Sequence, residues 1–405
     1  MQRAQAVGTV ITGATGFVGG ELLVTLLAAT NRHLICPIRA NSDEAAADRG
    51  AKRLSELTTA AKAAELSHRV EWIRGDIEES QLGWSDMRWH DVAMRTDEIF
   101  HCAASVSFDL PLEQAQRINV DGTKHVFALA QAAGARHKRF RRFHHVSTAY
   151  VAGKAKGRVD ADYLPEDKAS EFRNTYERTK ARAERFLRSE ASAPVPVSIH
   201  RPSIIAGNSQ TGETTNWNVL YVPMKMAARG VLPTLPRGGR ELADTIGVDF
   251  LVNAMITFSQ LDSKPLESHH VTAGPTAFTL TDLIRTTAEQ ARLVGDFKPS
   301  HTRFLGPLRW RALTATVEVV AKAPKWVGRY RKSARIARRG LQQCAPYVPY
   351  MWVNVIFDTA RDHDTLRIFG VEMPPGPEFL DTLIDYALAT NFGKTVKPAT
   401  DVAVV

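Results

Sequence analysis

The fold of this 405-residue chain is decided by a glycine-rich stretch near its start, Thr12-Gly13-Ala14-Thr15-Gly16-Phe17-Val18-Gly19-Gly20. A short apolar run, Val7 to Ile11, precedes it, and an apolar helical segment, Glu21 to Ala28, follows it. Glycines let backbone amides approach phosphate oxygens, and the start of a helix carries a partial positive charge. The order strand, glycine turn, helix therefore predicts that a dinucleotide pyrophosphate binds here. The predicted contacts are Thr12, Gly13, Thr15, Gly16, Phe17, Val18 and Gly19. Because the spacing is Gly-x-x-Gly-x-x-Gly and not the general Gly-x-Gly-x-x-Gly, an ordinary strand-to-helix turn is the alternative.

The end of the second predicted strand, His33 to Arg39, bears on which dinucleotide is bound. An NAD-specific site carries an Asp or Glu there, which accepts a hydrogen bond from the ribose 2′-hydroxyl. Arg39 occupies this position, and no acidic residue appears before Asp43. A guanidinium suits the 2′-phosphate of NADP, so the sequence predicts NADP(H) as the cofactor, with a solvated Arg39 as the alternative.

Three further segments are expected to approach the same ligand. A third strand ends in Gly75-Asp76, and the Asp76 carboxylate either brackets the adenine or caps a helix. Ala103 and Ala104 follow a fourth strand, and their small side chains leave room for a cofactor to lie over the strand end. Asn119 is predicted to open a long helix, where it either holds a strand end or caps that helix.

A Ser-Thr pair and a later Tyr-x-x-x-Lys motif carry the predicted chemistry. Ser147 and Thr148 end the fifth predicted strand, and ligands of parallel sheets bind at such ends. Tyr176 and Lys180 share one face of a predicted helix. Lys180 is predicted to hold the nicotinamide ribose and to lower the pKa of the Tyr176 phenol, which exchanges a proton with a carbonyl oxygen. Thr148 is predicted to bond the same oxygen, with Ser147 as the alternative. Alternatively, Tyr176 is an aromatic residue with a structural role and Lys180 is a surface lysine.

Composition and cysteine usage argue against a membrane-spanning protein, a secreted protein and a cysteine-ligated metal site. With 44% hydrophobic and 23% charged residues, the chain has an ordinary globular composition. No apolar run approaches the roughly 20 residues of a membrane span, and the start shows no secretory leader, so we expect a cytoplasmic protein. Cys36, Cys102 and Cys344 lack metal-ligand spacing. We therefore expect no metal site and interpret the cysteines as reduced.

The formal net charge of +9 comes from one segment. Lys298 to Gly340, the basic segment, contains twelve Lys or Arg and one Glu, so the rest of the chain is slightly acidic. Trp310, Trp326 and Tyr330 lie among its arginines. This pattern suits peripheral contact with an anionic membrane or with an acidic carrier protein, and a solvated helical face is the alternative. No nucleic-acid-binding module accompanies the charge, so we expect no nucleic-acid partner.

The order of these patterns predicts two interleaved units. Residues 1–206 and 244–275 are expected to form an NADP-binding, Rossmann-type α/β domain with a doubly wound parallel sheet. Residues 207–243 and 276–393 are expected to form a smaller, mostly helical substrate-binding domain that contains the basic segment, followed by a flexible tail, 394–405. Within the second unit, Thr281 is expected to cap a helix. The sequence does not indicate an oligomeric state.

Together these motifs resemble the extended short-chain dehydrogenase/reductases, and most closely their thioester reductase and fatty acyl-CoA reductase branch, also called male-sterility-like. The matching residues are Thr12-Gly13-x-x-Gly16-x-x-Gly19, Ile38-Arg39-Ala40, Gly75-Asp76-Ile77, His101-x-Ala103-Ala104-Ser105-Val106-Ser107-Phe108, Asn119-Val120-x-Gly122-Thr123, Val146-Ser147-Thr148-Ala149-Tyr150-Val151, Tyr176-x-x-x-Lys180 and Arg201-Pro202-Ser203-Ile204. The resemblance is strong over residues 7–275 and faint beyond.

This resemblance implies hydride transfer from NADPH to an acyl thioester, either a fatty acyl-CoA or an acyl-carrier protein, giving an aldehyde and, with a second hydride, an alcohol. It also implies that Ile77, Ser105, Asn119, Pro202 and Ser203 contribute to the cofactor site. Two other functions stay open at this point. One is an extended reductase of a sterol-type alcohol or a sugar nucleotide, although Arg39 argues against the sugar-nucleotide enzymes. The other is a cofactor-binding regulator without catalysis, against which the joint presence of Thr148, Tyr176 and Lys180 argues.

Overall fold

The computed structural model describes residues 8–136, 140–231, 234–236, 242–299, 302–322, 330, 334–335, 337–338, 341, 350 and 355–395. The strands in these residues are β1 (Gly8–Thr12), β2 (His33–Ile38), β3 (Val70–Arg74), β4 (Thr96–His101), β5 (Arg142–Val146), β6 (Gly157–Val159), β7 (Val197–Pro202), β8 (Ile204–Ala206), β9 (Thr234–Pro236), β10 (Thr245–Gly247), β11 (Leu266–Val271), β12 (Arg303–Leu305) and β13 (Val355–Phe357). The α-helices are α1 (Phe17–Ala29), α2 (Asp43–Leu57), α3 (Ala60–Leu66), α4 (Asp86–Arg95), α5 (Leu112–Gln116), α6 (Gly122–Arg136), α7 (Thr175–Glu190), α8 (Tyr221–Ala228), α9 (Val248–Gln260), α10 (Leu280–Val294), α11 (Pro307–Lys322), α12 (Ala360–Ile368) and α13 (Gly376–Ala389). Val7, Trp326, Cys344, much of the basic segment and most of the predicted tail lie outside the described residues.

Seven of these strands form one parallel sheet in the order β3-β2-β1-β4-β5-β7-β11. The first strand, β1, pairs with β2 on one side and with β4 on the other, so the chain changes direction across the sheet at this point. Ligands of doubly wound sheets bind in the crevice that this change of direction opens at the carboxyl ends of the strands. The Rossmann-type α/β fold predicted from the sequence is confirmed, and the glycine-rich stretch lies at its crevice.

Helices cover both faces of the sheet. Successive residues of β1 show this, because Val10 packs in the cluster that contains Phe127 of α6, whereas Ile11 packs in the cluster that contains Leu22 of α1 and Phe250 of α9. Parallel strands buried on both faces read as continuous apolar runs and not as alternating ones. The first strand was recognisable in the sequence for this reason.

One predicted helix start and one predicted helix cap are wrong. Asn119 does not open a helix, because α5 begins seven residues earlier and continues through a π-helical segment, Arg117–Asp121, into α6. Thr281 does not cap α10. Thr279 does, and its hydroxyl accepts a hydrogen bond from the Asp282 amide while the Asp282 carboxylate accepts one from the Thr279 amide. This reciprocal capping box makes Thr279 the cap, two residues before the predicted cap residue, Thr281.

Beyond the sheet, α8, α10 and α13 pack around a third apolar cluster that includes Met224, Leu283 and Leu383. A two-stranded parallel pairing of β13 with β6 attaches the C-terminal part of the chain beside the loop that follows β5. In the described portion of the chain, no helix combines the length and the apolar character needed to cross a bilayer.

Candidate active site

The glycine turn brings the backbones of β1, α1 and β4 into close contact. Gly13 adopts a φ of +75°, and its carbonyl accepts a hydrogen bond from the Gly16 amide at 2.8 Å. A Cβ atom on Gly19 would lie 2.3 Å from the Gly13 oxygen, and one on Gly13 would lie 2.8 Å from the Ala103 nitrogen. Gly16 caps α1 without a side-chain hydrogen bond, so no side chain covers the first amides of this helix. This backbone cradle fits the pyrophosphate of a nicotinamide dinucleotide.

A cavity of about 1410 Å³ opens from this turn. Ligand pockets typically measure about 300–1,000 Å³, so this one has room for a dinucleotide end together with a substrate. The predicted site residues that line it are Gly13, Thr15, Gly16, Phe17, Val18, Gly19, Ala104, Ser147, Thr148, Tyr176, Lys180, Pro202 and Ser203. The structure thus brings the glycine turn and the predicted catalytic residues to one cavity.

A second cavity of about 330 Å³ contains Arg39 and Asp76 together with Arg74 and Glu79. The Arg39 side chain is 67% exposed, and its guanidinium lies 3.7 Å from the Glu78 carboxylate. Asp76 accepts a hydrogen bond from the Glu78 amide, so it organises the turn after β3 while lining the cavity. The two residues predicted to approach the adenosine end therefore face the same space.

The remaining predicted residues line neither of the two cavities, and pack or form hydrogen bonds next to the residues that do. They are Thr12, Ile77, Ala103, Ser105 and Asn119. Thr12 accepts a hydrogen bond from the Ala103 amide and bonds the buried His101. The Asn119 amide group bonds both the amide and the carbonyl of Ser105, at 2.8 and 3.1 Å. Of the two roles proposed for Asn119, holding a strand end is the one that the contacts favour. Ile77 packs against Gly122 in the same layer.

Thr148 and Tyr176 are joined by a hydrogen bond between their side chains, which lowers the pKa of the phenol. Burial acts in the opposite direction and more strongly, raising the pKa of Tyr176 to about 12. Lys180 is also buried, and this lowers the pKa of its amine to about 8. Its Nζ donates to the Val146 carbonyl at 2.6 Å and lies 3.2 Å from His145 Nε2. The predicted lowering of the Tyr176 pKa by Lys180 is therefore absent here, where burial dominates.

Ser147 and Thr148 are adjacent but have different partners. The Ser147 hydroxyl donates to the buried Glu184 carboxylate at 2.5 Å, and the same carboxylate pairs with Arg201. Thr148 points toward Tyr176 and bonds only backbone groups besides, at 3.3 and 3.4 Å. A hydroxyl held by a buried carboxylate is poorly placed to donate to a substrate. The contacts therefore favour Thr148 over Ser147.

Sequence reasoning missed several residues that line the main cavity, among them Arg53, Phe108, Tyr150, Trp310 and Tyr350. Phe108 and Tyr150 lie inside the motifs that carried the family resemblance, so a signal for them existed. Arg53 lies on a polar helix, and Trp310 and Tyr350 come after residues 7–275, over which the family resemblance is strong. Nothing local marked these three as cavity residues.

The two described cysteines, Cys36 and Cys102, are free thiols, and burial raises the pKa of Cys102 to about 12. A thiol with so high a pKa is a poor nucleophile at neutral pH. Over the ranges that the structure describes, no three His, Cys, Asp or Glu side chains are grouped so as to hold a metal ion.

The strand order, the glycine turn at the crevice and the Tyr-Lys pair beside it define an extended short-chain dehydrogenase/reductase, an NAD(P)-dependent oxidoreductase class. The sequence model of the family described as Male sterility protein matches residues 11–255. The chain belongs to this family.

Glycine betaine reductase ATRR of Emericella nidulans is 30% identical over 253 residues, which are 61% of this chain and 19% of that protein. Fatty acyl-CoA reductase 1 of Mus musculus is 28% identical over 284 residues, covering 61% of this chain and 53% of that protein. The chain thus spans about half or less of the length of these relatives. The terminal R domain from the myxalamid PKS-NRPS biosynthetic pathway superposes with a TM-score of 0.74 at 24% identity, covering 98% of this chain and 93% of the domain.

The titration of Lys180 yields a first prediction. Because burial lowers its pKa to about 8, the ammonium is lost as the pH rises through that value. If Lys180 holds the ribose as predicted, we expect the affinity for the oxidised nicotinamide dinucleotide to fall by up to about tenfold per pH unit above pH 8, because the charged hydrogen bond is lost. The dissociation constant measured by calorimetry between pH 6.5 and 9.5 checks this. The Lys180→Met variant should bind more weakly with a flat profile, whereas an unchanged slope in that variant would contradict the assignment.

Proposed function

We propose that this chain is an NADPH-dependent reductase of acyl thioesters that releases an aldehyde and a free thiol. The observation that carries the proposal is the position of Thr148, Tyr176 and Lys180 in one large cavity that also contains the glycine turn. Much of the rest of its wall is apolar, including Val106, Met226 and Leu313. Such a wall suits an acyl chain.

The chemistry assigned to the side chains follows from their contacts. NADPH, when bound, would supply the hydride that the thioester carbon receives. Tyr176 gives its phenolic proton to the oxygen of the former carbonyl, and Thr148 donates a second hydrogen bond as negative charge develops there. The resulting hemithioacetal collapses to the aldehyde and the thiol. Lys180 holds the ribose, and the hydrogen bond from Thr148 lowers the pKa of the Tyr176 phenol.

NADPH is proposed over NADH because of the residues at the end of β2. Arg39 lines the smaller cavity beside Arg74, and both side chains are at least partly exposed. Their carboxylate partners, Glu78 and Glu79, each lie 3.7 Å away, which are loose pairings that a phosphate can replace. A 2′-phosphate would thus meet two guanidinium groups.

The segments 207–243 and 276–393 are proposed to form the substrate-binding part, and α11 is its most informative helix. On one face, Trp310, Leu313 and Val317 line the cavity. Arg309 and Arg311, which flank Trp310 along the helix, are exposed. We propose that these arginines bind the phosphates of a phosphopantetheine-bearing substrate, whether CoA or an acidic carrier protein, while the acyl chain enters beside Trp310.

Turnover is the first test of the proposal. The purified protein, NADPH and a long-chain acyl-CoA should give the aldehyde or the alcohol, identified by mass. Tyr176→Phe should lower kcat by about 10²–10⁴-fold, because the proton donor is lost, without changing the NADP⁺ dissociation constant. Carrier-bound acyl groups are tested in parallel. Reduction of a sterol-type ketone with no turnover of any acyl thioester would contradict the proposal.

Coenzyme preference tests the role of Arg39. Arg39→Ser should raise the KM for NADPH by about 10–100-fold, since a charged hydrogen bond contributes roughly 1.5–3 kcal/mol, and leave the KM for NADH unchanged. Lys52→Ser, which removes an exposed positive charge from α2, is the matched control and should change neither. Equal effects on both coenzymes would show that Arg39 does not read the 2′-phosphate.

Charge reversal on α11 tests the substrate contact. The double variant Arg309→Glu, Arg311→Glu should raise the KM for acyl-CoA or acyl-carrier protein by about tenfold, because two exposed pairs become repulsive. An acyl-N-acetylcysteamine, which has no phosphate, should be reduced normally. Arg285→Glu, also exposed, is the control. If instead only sedimentation with anionic vesicles is lost, the arginines contact a membrane and not the substrate.

A further inference from the structure

A ring of hydrogen bonds encloses the start of α7, the helix that carries Tyr176. The Asn174 side chain caps the helix by accepting from the Glu177 amide at 2.9 Å, and its amino group donates to the Tyr350 hydroxyl at 2.8 Å. The Tyr350 hydroxyl also bonds the Glu177 carboxylate, which in turn accepts from the Arg173 amide at 2.9 Å. Tyr176 lies between Asn174 and Glu177 in the chain, so Tyr350 holds both ends of the short stretch that carries it.

The Tyr350 ring also packs against other aromatic rings that line the main cavity. It stacks on Phe108 with the ring centroids 5.4 Å apart and meets the edge of Tyr150 at 5.3 Å. Phe108 lies 5.8 Å from the ring of Tyr176, and all four aromatic residues line the main cavity. The Arg173 guanidinium covers the Tyr350 ring at 5.5 Å. Together these rings form a wall beside the phenol of Tyr176.

The contribution of the hydrogen bond between the Tyr350 hydroxyl and Glu177 depends on burial, because the Glu177 side chain is fully buried. Burial raises the pKa of its carboxyl, and hydrogen bonds from Arg173 and Tyr350 oppose that change. A buried carboxylate is tolerated only with such donors. Loss of the Tyr350 hydroxyl leaves Glu177 with the donors of Arg173 alone and removes the acceptor that the Asn174 amino group uses. The first turn of α7 can then repack, and Tyr176 moves with it.

We propose that Tyr350 is a positioning residue for the reaction centre. Its hydroxyl holds the first turn of α7, and its ring completes the aromatic wall beside Tyr176. It lies outside residues 11–255, the region that the family model matches. The C-terminal part of this chain therefore takes part in catalysis as well as in substrate binding. The inference rests on the proposed role of Tyr176 as the proton donor.

The test compares Tyr350→Phe with the full-length wild-type protein. We expect kcat to fall by about 10–100-fold, because a small displacement of a catalytic group has effects of this size, with the KM for the acyl substrate and the NADP⁺ dissociation constant nearly unchanged. Amide hydrogen exchange at residues 175–178 should become faster in the variant. Tyr163→Phe, which removes a hydroxyl from a 39% exposed residue, is the control and should leave kcat and exchange as in the wild type.

Two outcomes would overturn the inference. One is an unchanged kcat in Tyr350→Phe, whether or not exchange becomes faster, because the contact would then be only structural. The other is a fall in kcat matched by an equal loss of NADP⁺ affinity, which indicates general unfolding of the site. Turnover is measured with a long-chain aldehyde as well as an acyl thioester. Reduction of the aldehyde alone would contradict the thioester proposal while still deciding the role of Tyr350.

Discussion

The close approach of three backbone segments at the crevice of the sheet is the constraint on which the rest of this structure depends. Gly13 and Gly19 lie so near each other, and Gly13 so near Ala103, that a single Cβ atom at either glycine would overlap backbone atoms. Backbone cannot move aside as a flexible side chain can. The turn therefore sets both the start of α1 and its distance from the end of β4, and these together shape the opening of the cavity. The dinucleotide cradle and the packing of the fold are one feature.

A second set of contacts fixes the catalytic helix against the strand ends. The Glu184 carboxylate of α7 receives Ser147 from the end of β5 and pairs with Arg201 of β7 in the core. Lys180, one turn earlier on α7, donates to the Val146 carbonyl. Buried charges of this kind are costly unless fully partnered, so they hold the helix in one register on the sheet. This register brings Tyr176 within hydrogen-bonding distance of Thr148.

The errors made from the sequence have a common physical origin. Asn119 was predicted to open a helix and Thr281 to cap one, each from its local surroundings. Asn119 instead bonds Ser105, and Thr279 captures the cap of α10 because Asp282 completes a capping box with it. The Tyr176 pKa was expected to be lowered by Lys180, yet burial raises it. In each case a distant or competing partner decided the outcome.

The sequence by itself determined the Rossmann-type fold, the position of the glycine turn, and the presence of a Tyr-Lys pair on a helix that follows a Ser-Thr strand end. These follow from short-range rules, since glycine spacing, strand burial and residues four apart on a helix are all legible within a few positions. Only the tertiary structure decided that Thr148 and not Ser147 faces Tyr176, and that Arg53, Trp310 and Tyr350 reach the cavity. These depend on which side chains meet across separations that range from 37 residues, between Ser147 and Glu184, to 176 residues, between Asn174 and Tyr350. Such contacts are set by packing, by burial and by the pairing of buried charges, and none of these can be predicted from a local sequence pattern.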